Sequence, residues 1–453
     1  MKRASRNVDL ANAPVSTLIA KFAFPAILAN LVGSLYNIAD QIFVGQKLGT
    51  VGNAATNIAF PLVLLMVTFS TMIGSGGASK FSLYQGAGKE DRAGGTVGTS
   101  IIALCVSGIF LMAVTLIFLR PLMVLFGAKG ETLTLAAEYT RVIAVGMPFQ
   151  IFGAGASMFI RADGSPRYAM ASTLAGAILN VILDPVFIFG LDMGLTGAAL
   201  ATVIGQIISA GIALVYFRHF KSVKLTKETF ILRFPELKEI CILGLPAGLM
   251  QIAVMVSQIV MNNTLGFYGE QTTYGRDVPL AVSGVVTKIN SIFTATIMGI
   301  CQSCQPVFGF NYGAKNFRRV KQTFRTTAII ATAVSLVSFI LFQIFPKQIL
   351  EIFQQGDELY LTFGTAYLRI FMGAIAVNGI TILASNFFPS IGMAKEGMAA
   401  SLSRQVFFQL PLILIFPMIW GLNGVLYAGP VADISAMLLC VGITYKVWKK
   451  IEM

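Results

Sequence analysis

Apolar runs of about 20 residues, the length that a helix needs to cross the hydrocarbon of a bilayer, recur from one end of this 453-residue chain to the other. Only 12% of the residues are charged, whereas a soluble protein usually carries about 25%. No stretch between the runs is long enough for a large soluble domain. The sequence therefore predicts an all-α, polytopic membrane protein whose surface is covered mostly by lipid.

Polar breaks divide these runs into twelve predicted spans. The spans fall at residues 18–44, 54–79, 97–119, 138–160, 169–190, 196–217, 240–265, 280–307, 327–345, 363–388, 400–419 and 424–446. Assigning the polar connections alternately to the two sides puts most of the 33 Lys and Arg on the side that holds both termini. Because positive loops favour the cytoplasm, we expect both termini there. The net charge of +13 then reflects topology, and no nucleic-acid partner is predicted.

A repeat relates the two halves of the chain. The segment FAFPAILAN around Pro25 matches LGLPAGLMQ around Pro246, and GLTGA at Gly194 matches GLNGV at Gly421. Six spans per repeat keep the halves in the same orientation, related by an axis along the membrane normal, with a substrate cavity between them. The predicted division is an N-terminal lobe at residues 1–217, a basic cytoplasmic linker at 218–239 and a C-terminal lobe at 240–453.

Three acids, Asp40, Asp184 and Asp433, lie inside predicted spans. An ionisable side chain at the centre of a membrane helix costs at least about 2.5–3.5 kcal/mol, so each is a candidate functional residue. Asp40 and Asp184 lie at the same depth as the Asn180 amide and the Thr202 hydroxyl, in the non-cytoplasmic half of the N-terminal lobe. We predict that this set forms a cation-coupling site: Asp40, Asn180, Asp184 and Thr202. Tyr36 and Asn37, one turn from Asp40, are candidate supporting residues.

The chemistry of this set suits either of two coupling ions. Pro185 cannot donate to the carbonyl of Val181, which adds a free backbone oxygen beside the carboxylates. Two carboxylates, an amide, a hydroxyl and a carbonyl would accept Na⁺, but a proton shared by the acid pair fits as well. A purely structural role is the alternative. It is less favoured because the repeat puts Met261 opposite Asp40, whereas a packing role should recur in both lobes.

Other polar residues within the spans are candidates for the substrate cavity. Asp433 has Lys288 as its only obvious counter-charge, and an internal ion pair is the alternative to a substrate role. The remaining candidates are amides, for which helix-to-helix hydrogen bonding is the alternative. They are Gln150, Gln258, Asn262 and Asn378.

Pro25 lies inside the first span, where a proline interrupts the hydrogen-bond ladder. A bend between Pro25 and Asp40 would couple cation binding to movement, so Pro25 is a candidate hinge, with a static kink as the alternative. The chain contains no nucleotide P-loop and no ligand set for a structural metal, so no cofactor and no enzymatic activity are predicted. Transport would then be driven by an ion gradient.

These residues carry a resemblance to a family. With LYNIADQIFVGQKLG at 35–49, RADGSPRYAM at 161–170 and NVILDPVFIFG at 180–190, the chain resembles bacterial multidrug and toxic compound extrusion (MATE) transporters over essentially its whole length. The resemblance implies a prokaryotic plasma-membrane antiporter that exchanges amphiphilic or cationic organic compounds for H⁺ or Na⁺ by alternating access. It also implies that a monomer suffices and that the four predicted coupling residues act as they do in DinF-like branches.

One departure from the family separates its branches. The NorM-like branch carries a membrane-embedded glutamate in its seventh span, whereas MQIAVMVSQIVMNN at residues 250–263 contains no acid. This shifts the expected coupling to the N-terminal lobe. A flippase for lipid-linked sugars or polysaccharides in the same superfamily is the alternative function, and a channel or receptor is disfavoured by the duplicated lobes.

Overall fold

The computed structural model describes residues 10–353 and 358–452, with the side chains of Asn37, Thr50, Lys227, Ile451 and Glu452 excepted. Every regular element in these two ranges is a helix. The predicted supporting side chain of Asn37 lies outside the described part. Eleven helices in it are long and apolar enough to cross a membrane, and one bent pair brings the number to twelve. The predicted all-α, twelve-span fold is confirmed.

The first six spans come from the N-terminal half of the chain. They are α1 Val15–Gly49, α2 Val51–Gly86, α3 Glu90–Ile117, α4 Gly130–Ala162, α5 Pro166–Pro185 and α6 Gly194–Phe217. α1 and α2 are separated only by a break at Gly49, whose φ of 62° favours glycine. α5 continues as a π-helix at Val186–Gly190, directly after Pro185. A π-turn is a wide turn that often marks a functional site.

The second six spans follow in the same order. They are α7 Phe234–Gly269, α8 Asp277–Gly313, α9 Phe317–Ile344, α10 Glu358–Phe371 with Ile375–Ser390, α11 Ala394–Trp420 and α12 Leu422–Glu452. α10 bends by 41° between its two parts. α11 contains a π-helix at Ser403–Gln409. α11 itself begins at Ala394, six residues before the predicted span, because its polar first turns are helical too.

Contacts near the two ends of the chain place them at one face of the bundle, here called the terminal face. Arg319, at the start of α9, donates to the backbone carbonyls of Leu10 and Ala13. Phe324 and Lys321 in the same helix contact the Trp448 ring near the end of α12. The two described ends therefore lie on the same side of the helix bundle, as an even number of spans requires.

Buried apolar side chains divide largely by sequence half. Two clusters consist mainly of residues from α2 to α6, and two others of residues from α7 to α12. The first turns of α1 are the exception, because Val15, Ile19 and Ala23 pack with α8, α10 and α12. α1 therefore bridges the two halves. The exact lobe boundaries at 217 and 240 stay a prediction.

The two halves meet most closely near the terminal face, through glycines of α2, α7 and α8. A side chain at Gly76 or Gly244 would overlap backbone atoms of the opposite helix, and the same holds for Gly86 and Gly313. Small residues allow helix backbones to approach in this way. These four glycines, here called the terminal-face seam, close the space between the lobes at this end.

An ion-pair network covers one side of the seam. Lys80 of α2 lies 2.7 Å from Glu239 and 3.8 Å from Glu236, both on the first turns of α7. Its side chain is 6% exposed, and Thr96 of α3 donates to Glu236 at 3.1 Å. Glu236 is 13% exposed but Glu239 is 63% exposed, so the shorter of the two ion pairs is partly screened by solvent. The charges therefore hold α2 and α7 together.

The turn between α4 and α5 is tied to the start of the linker. Asp163 accepts hydrogen bonds from Tyr216 Oη at 2.7 Å and from the backbone N–H groups of Lys221 and Ser222 at 2.8 Å each. Burial raises the pKa of the Asp163 carboxyl, and these hydrogen bonds oppose the shift. The polar anchor fixes the terminal-face end of α4, where Arg161 lies.

Candidate transport site

The four predicted coupling residues lie in the half of the bundle away from the terminal face. Asn180 and Asp184 occupy successive turns of α5, and the Asn180 amide donates to Asp184 Oδ1 at 3.3 Å and to Thr202 Oγ1 at 3.2 Å. Asp184 is fully buried and Asn180 is 2% exposed. The structure thus joins α5 and α6 through an amide that holds a carboxylate.

Asp40 approaches this group from α1. It interacts electrostatically with Asp184, although no hydrogen bond between the two carboxylates is described. Tyr36, one turn away, lines the same cavity as Asn180 and Thr202. The structure therefore brings the four predicted residues and Tyr36 into one region.

Three acceptor atoms of this cluster are buried without a hydrogen-bond partner among the described residues. They are Asp40 Oδ1, Asn180 Oδ1 and Asp184 Oδ2. A buried acceptor that loses water without gaining a donor costs about 1–3 kcal/mol, and more when it is charged. All three are oxygens, and two belong to carboxylates. The group therefore has the chemistry to receive a small positive ion, either a proton or a hard cation.

Tyr139 of α4 belongs to the cluster but was missed by the sequence analysis. It is buried, and it lies within electrostatic range of Tyr36, Asp40 and Asp184. Its position in the half of α4 away from the terminal face was readable, since it lies nine residues into the helix. Its contact with helices α1 and α5 was not, because sequence spacing gives depth and not the neighbouring helix.

Two cavities lie between the coupling cluster and the terminal-face seam. The larger has a volume of about 280 Å³ and is lined by α1, α2, α4, α5 and α6, with Gln302 of α8 on its far side. The smaller, of about 120 Å³, lies between the lobes and is lined by Gln251, Gln305 and Asn386 of the C-terminal half. Arg161 and Gln302 line both cavities, so they stand at the boundary where the two meet.

The amides predicted to line the cavity are distributed differently. Gln150 lines the larger cavity. Gln258 donates to Asn262 at 3.0 Å within α7, outside both cavities. Asn378 is buried at the start of the second part of α10 and is likewise not among the lining residues. A substrate role for all four amides stays a prediction.

The predicted partner of Asp433 was wrong. Asp433 is 1% exposed and is ion-paired with Arg404 of α11, whereas Lys288 is exposed. The sequence does not single out Arg404, because the predicted span begins at residue 400 and places Arg404 at the membrane edge. The helix begins at Ala394, so Arg404 lies almost three turns inside. The alternative interpretation, an internal ion pair, is what the structure shows.

Removing one partner of this pair should destabilise the protein strongly. We expect Arg404→Met to lower the free energy of unfolding by roughly 3–5 kcal/mol, because it leaves the Asp433 carboxylate buried and unpaired. The double variant Arg404→Met with Asp433→Leu should recover most of that loss. Thermal unfolding of the detergent-solubilised protein measures both, and equal unfolding temperatures for the single and double variants would contradict the pairing.

A two-lobed bundle of twelve membrane helices around an inter-lobe cavity defines a polytopic membrane transporter. Comparison with known proteins identifies its family. The MatE family model matches residues 25–186 and 246–415, so the chain belongs to the MatE family. The two matched segments begin at Pro25 and Pro246, the prolines that the internal repeat aligns.

Individual relatives agree over nearly the full length. The multidrug export protein MepA of Staphylococcus aureus is 26% identical over 435 residues, which cover 95% of this chain and 94% of MepA. The solved structure of the MATE multidrug transporter DinF-BH in complex with R6G is 33% identical, covers 96% of both chains and has a TM-score of 0.87. An outward-facing structure of a MATE family transporter of the MOP superfamily, 24% identical, covers 99% of both chains with a TM-score of 0.90.

Proposed function

We propose that this transporter exports amphiphilic and cationic organic compounds in exchange for an inward flow of H⁺ or Na⁺. The observation that carries the proposal is the cluster of two interacting carboxylates with three unpartnered buried oxygens, placed beside the cavity. Such a cluster is stable when a positive charge is present and is destabilised when that charge leaves. It can therefore favour different conformations with and without the ion.

Relatives support the nature of the cargo. MepA is named as a multidrug export protein, and DinF-BH was solved with R6G bound. The cavities of this chain contain apolar side chains such as Met158 and Met298 beside amides, a composition that adapts to varied organic molecules. We propose the same type of small organic cargo here, with export favoured over lipid-linked sugar flipping.

The same cluster would hold either ion. For Na⁺, the ligands would be oxygens of Asp40, Asn180, Asp184 and Thr202, all of which are hard donors. For H⁺, the proton would reside on one of the two carboxylates, because like charges at short range cannot both remain ionised cheaply. In either case the ion and a cationic substrate compete for the same negative charge, which is the basis of exchange.

The membrane arrangement follows from the fold. We propose that the terminal face is cytoplasmic, since most Lys and Arg lie in loops on that side, and that the protein sits in the plasma membrane of a prokaryote. One chain contains both lobes and the cavity, so a monomer would suffice.

Pro25 is the candidate hinge in α1. The helix continues through Pro25, and its dihedral angles depart from helical values only at Gly49. The hinge role of Pro25 remains a proposal.

Vesicle transport distinguishes the ions. Everted membrane vesicles containing the protein should accumulate a fluorescent organic cation when an outward-directed ion gradient is imposed across the vesicle membrane. If the coupling ion is H⁺, an ionophore that collapses only the pH gradient should stop accumulation. If the coupling ion is Na⁺, removal of only the Na⁺ gradient should stop it. Accumulation that survives collapse of both gradients would contradict ion-coupled exchange.

A further inference from the structure

Arg161 carries a positive charge inside the bundle, on the last turn of α4. Among residues 10–353 and 358–452, no hydrogen bond or ion pair of its side chain is described, and no acid acts on its charge. Arg404, within α11, is by contrast paired with Asp433. A guanidinium stays charged in proteins. An unpaired one within a membrane bundle is costly unless an anion or water occupies its donors.

Two small spaces between the lobes meet at this guanidinium. The inter-lobe cavity of about 120 Å³ and a pocket of about 10 Å³ beside Pro306 are both lined by Met158, Arg161, Gln302 and Gln305. Their described lining residues include no aspartate or glutamate. The smaller volume is close to that of one water-sized particle. The junction of the two spaces therefore suits a small ion and excludes an organic molecule.

The donors at this junction come from both lobes. Arg161 belongs to α4, and Gln302 belongs to α8, where no hydrogen bond of its side chain is described. The other polar side chains of the small pocket are already engaged. Gln305 donates to Asn386 Oδ1 at 2.9 Å, and the Ser82 hydroxyl donates to a carbonyl of its own helix. A guanidinium has five donors and no acceptor, so the junction selects an anion over a cation.

Close contacts between α2 and α8 seal the junction from the terminal face. A Cβ at Gly309 would lie 2.7 Å from the Cβ of Ser82. One turn closer to the terminal face, the seam glycines Gly86 and Gly313 contact the backbone of the opposite helix. The guanidinium and the Gln302 amide thus lie on opposite sides of a boundary that must widen when this face opens. An ion held by both groups would then lose one of its ligands.

We propose that Arg161 and Gln302 bind a small inorganic anion, such as chloride, and that this anion stabilises the closed terminal face. Because its ligands come from both lobes, the anion favours the arrangement that brings them together. The site is separate from the aspartate cluster, which lies in the other half of the bundle. It therefore does not depend on the proposed exchange of organic cations for H⁺ or Na⁺.

Thermal unfolding of the purified full chain tests the site. Chloride replaces gluconate stepwise at constant Na⁺ concentration, pH and ionic strength. A ligand that binds only the native state stabilises it, so the unfolding temperature of the wild type should rise with chloride, and likewise with bromide. Arg161→Gln should raise the chloride concentration needed for a given shift by at least about ten-fold.

Controls separate this site from a general effect of salt. Arg141→Gln changes an exposed arginine of the same helix and should respond to chloride like the wild type. Arg161→Lys keeps the charge but loses the planar fork, so it should lose less chloride affinity than Arg161→Gln. Wild-type crystals grown in bromide should show an anomalous peak between the guanidinium and the Gln302 amide, a readout that requires no variant. A wild type that does not respond to chloride, or an Arg161→Gln variant that responds equally, would overturn the site.

A distance measurement tests the effect on conformation. Spin labels on cysteines introduced at Lys89 and Lys315 report the separation of two exposed loops at the terminal face, with the five native cysteines replaced by alanine. Chloride should increase the population at the shorter distance relative to gluconate, and Arg161→Gln should remove this difference. Identical distance distributions in chloride and gluconate would overturn the stabilisation of the closed face.

Discussion

Asp184→Asn should reduce the initial rate of organic-cation export by at least about ten-fold, the order of effect expected when the coupling free energy between two ligands is lost. Asn keeps the size of the side chain and can still pair with Asn180, which lies at 3.3 Å from Asp184 Oδ1. The change therefore removes the charge while it preserves the packing of α5 and α6. Efflux of a preloaded fluorescent cation from energised cells or vesicles measures the rate.

The matched control is another aspartate of the same lobe. Asp192 lies in the turn after α5, where its ion pair with Lys47 at 2.6 Å is at the surface and its side chain is 77% exposed. The hydrogen bond from Lys47 and its charge lower the pKa of Asp192. Surface pairs contribute little, so Asp192→Asn should export at the wild-type rate. Full activity in Asp184→Asn would remove the coupling site from this lobe.

Gly244→Leu should open the terminal face. A side chain there would overlap the backbone of Met72 in α2, so α2 and α7 must separate. Overpacking of this kind costs about 1–3 kcal/mol, which shifts a two-state equilibrium by roughly five- to 150-fold. The measurement uses a background in which the five native cysteines are replaced by alanine, with spin labels on cysteines introduced at Lys89 and Lys315 in the exposed loops after α2 and α8. In this background, Gly244→Leu should increase the distance between the two labels.

Gly211→Leu is the control for this prediction. Gly211 lies on the exposed side of α6, and a Cβ there would meet no atom within 4 Å. The label distance in this variant should equal that of the parent protein. An unchanged distance in Gly244→Leu, in protein that still binds an organic cation, would show that the terminal-face seam does not control access from this side.

Most of the fold was readable from the sequence because the bilayer imposes one length on every span. The twelve predicted spans coincide with α1 to α12, and the proline repeat at Pro25 and Pro246 gave the two-fold organisation. Local departures from regular helix were not readable. The π-helices after Pro185 and at Ser403–Gln409, and the 41° bend of α10, depend on how neighbouring helices satisfy backbone groups.

The candidate site was readable in part. Depth along a helix can be counted from residue positions, and this count alone groups Asp40, Asn180, Asp184 and Thr202. Which neighbouring helix a side chain contacts cannot be read from residue positions in this way. Tyr139 was therefore missed, and Asp433 was assigned Lys288 instead of Arg404. Pairings between helices far apart in sequence depend on tertiary packing.

The aspartate cluster should bind a small cation and an organic cation in competition. Equilibrium binding of rhodamine 6G to the purified wild type, titrated with Na⁺ at fixed pH and with H⁺ in Na⁺-free buffer, tests it directly. One of the two ions should displace the dye, the dye should lower the affinity for that ion by the same factor, and Asp184→Asn should abolish the displacement. Dye binding that is unaffected by either ion, or displacement that persists in Asp184→Asn, would contradict the account.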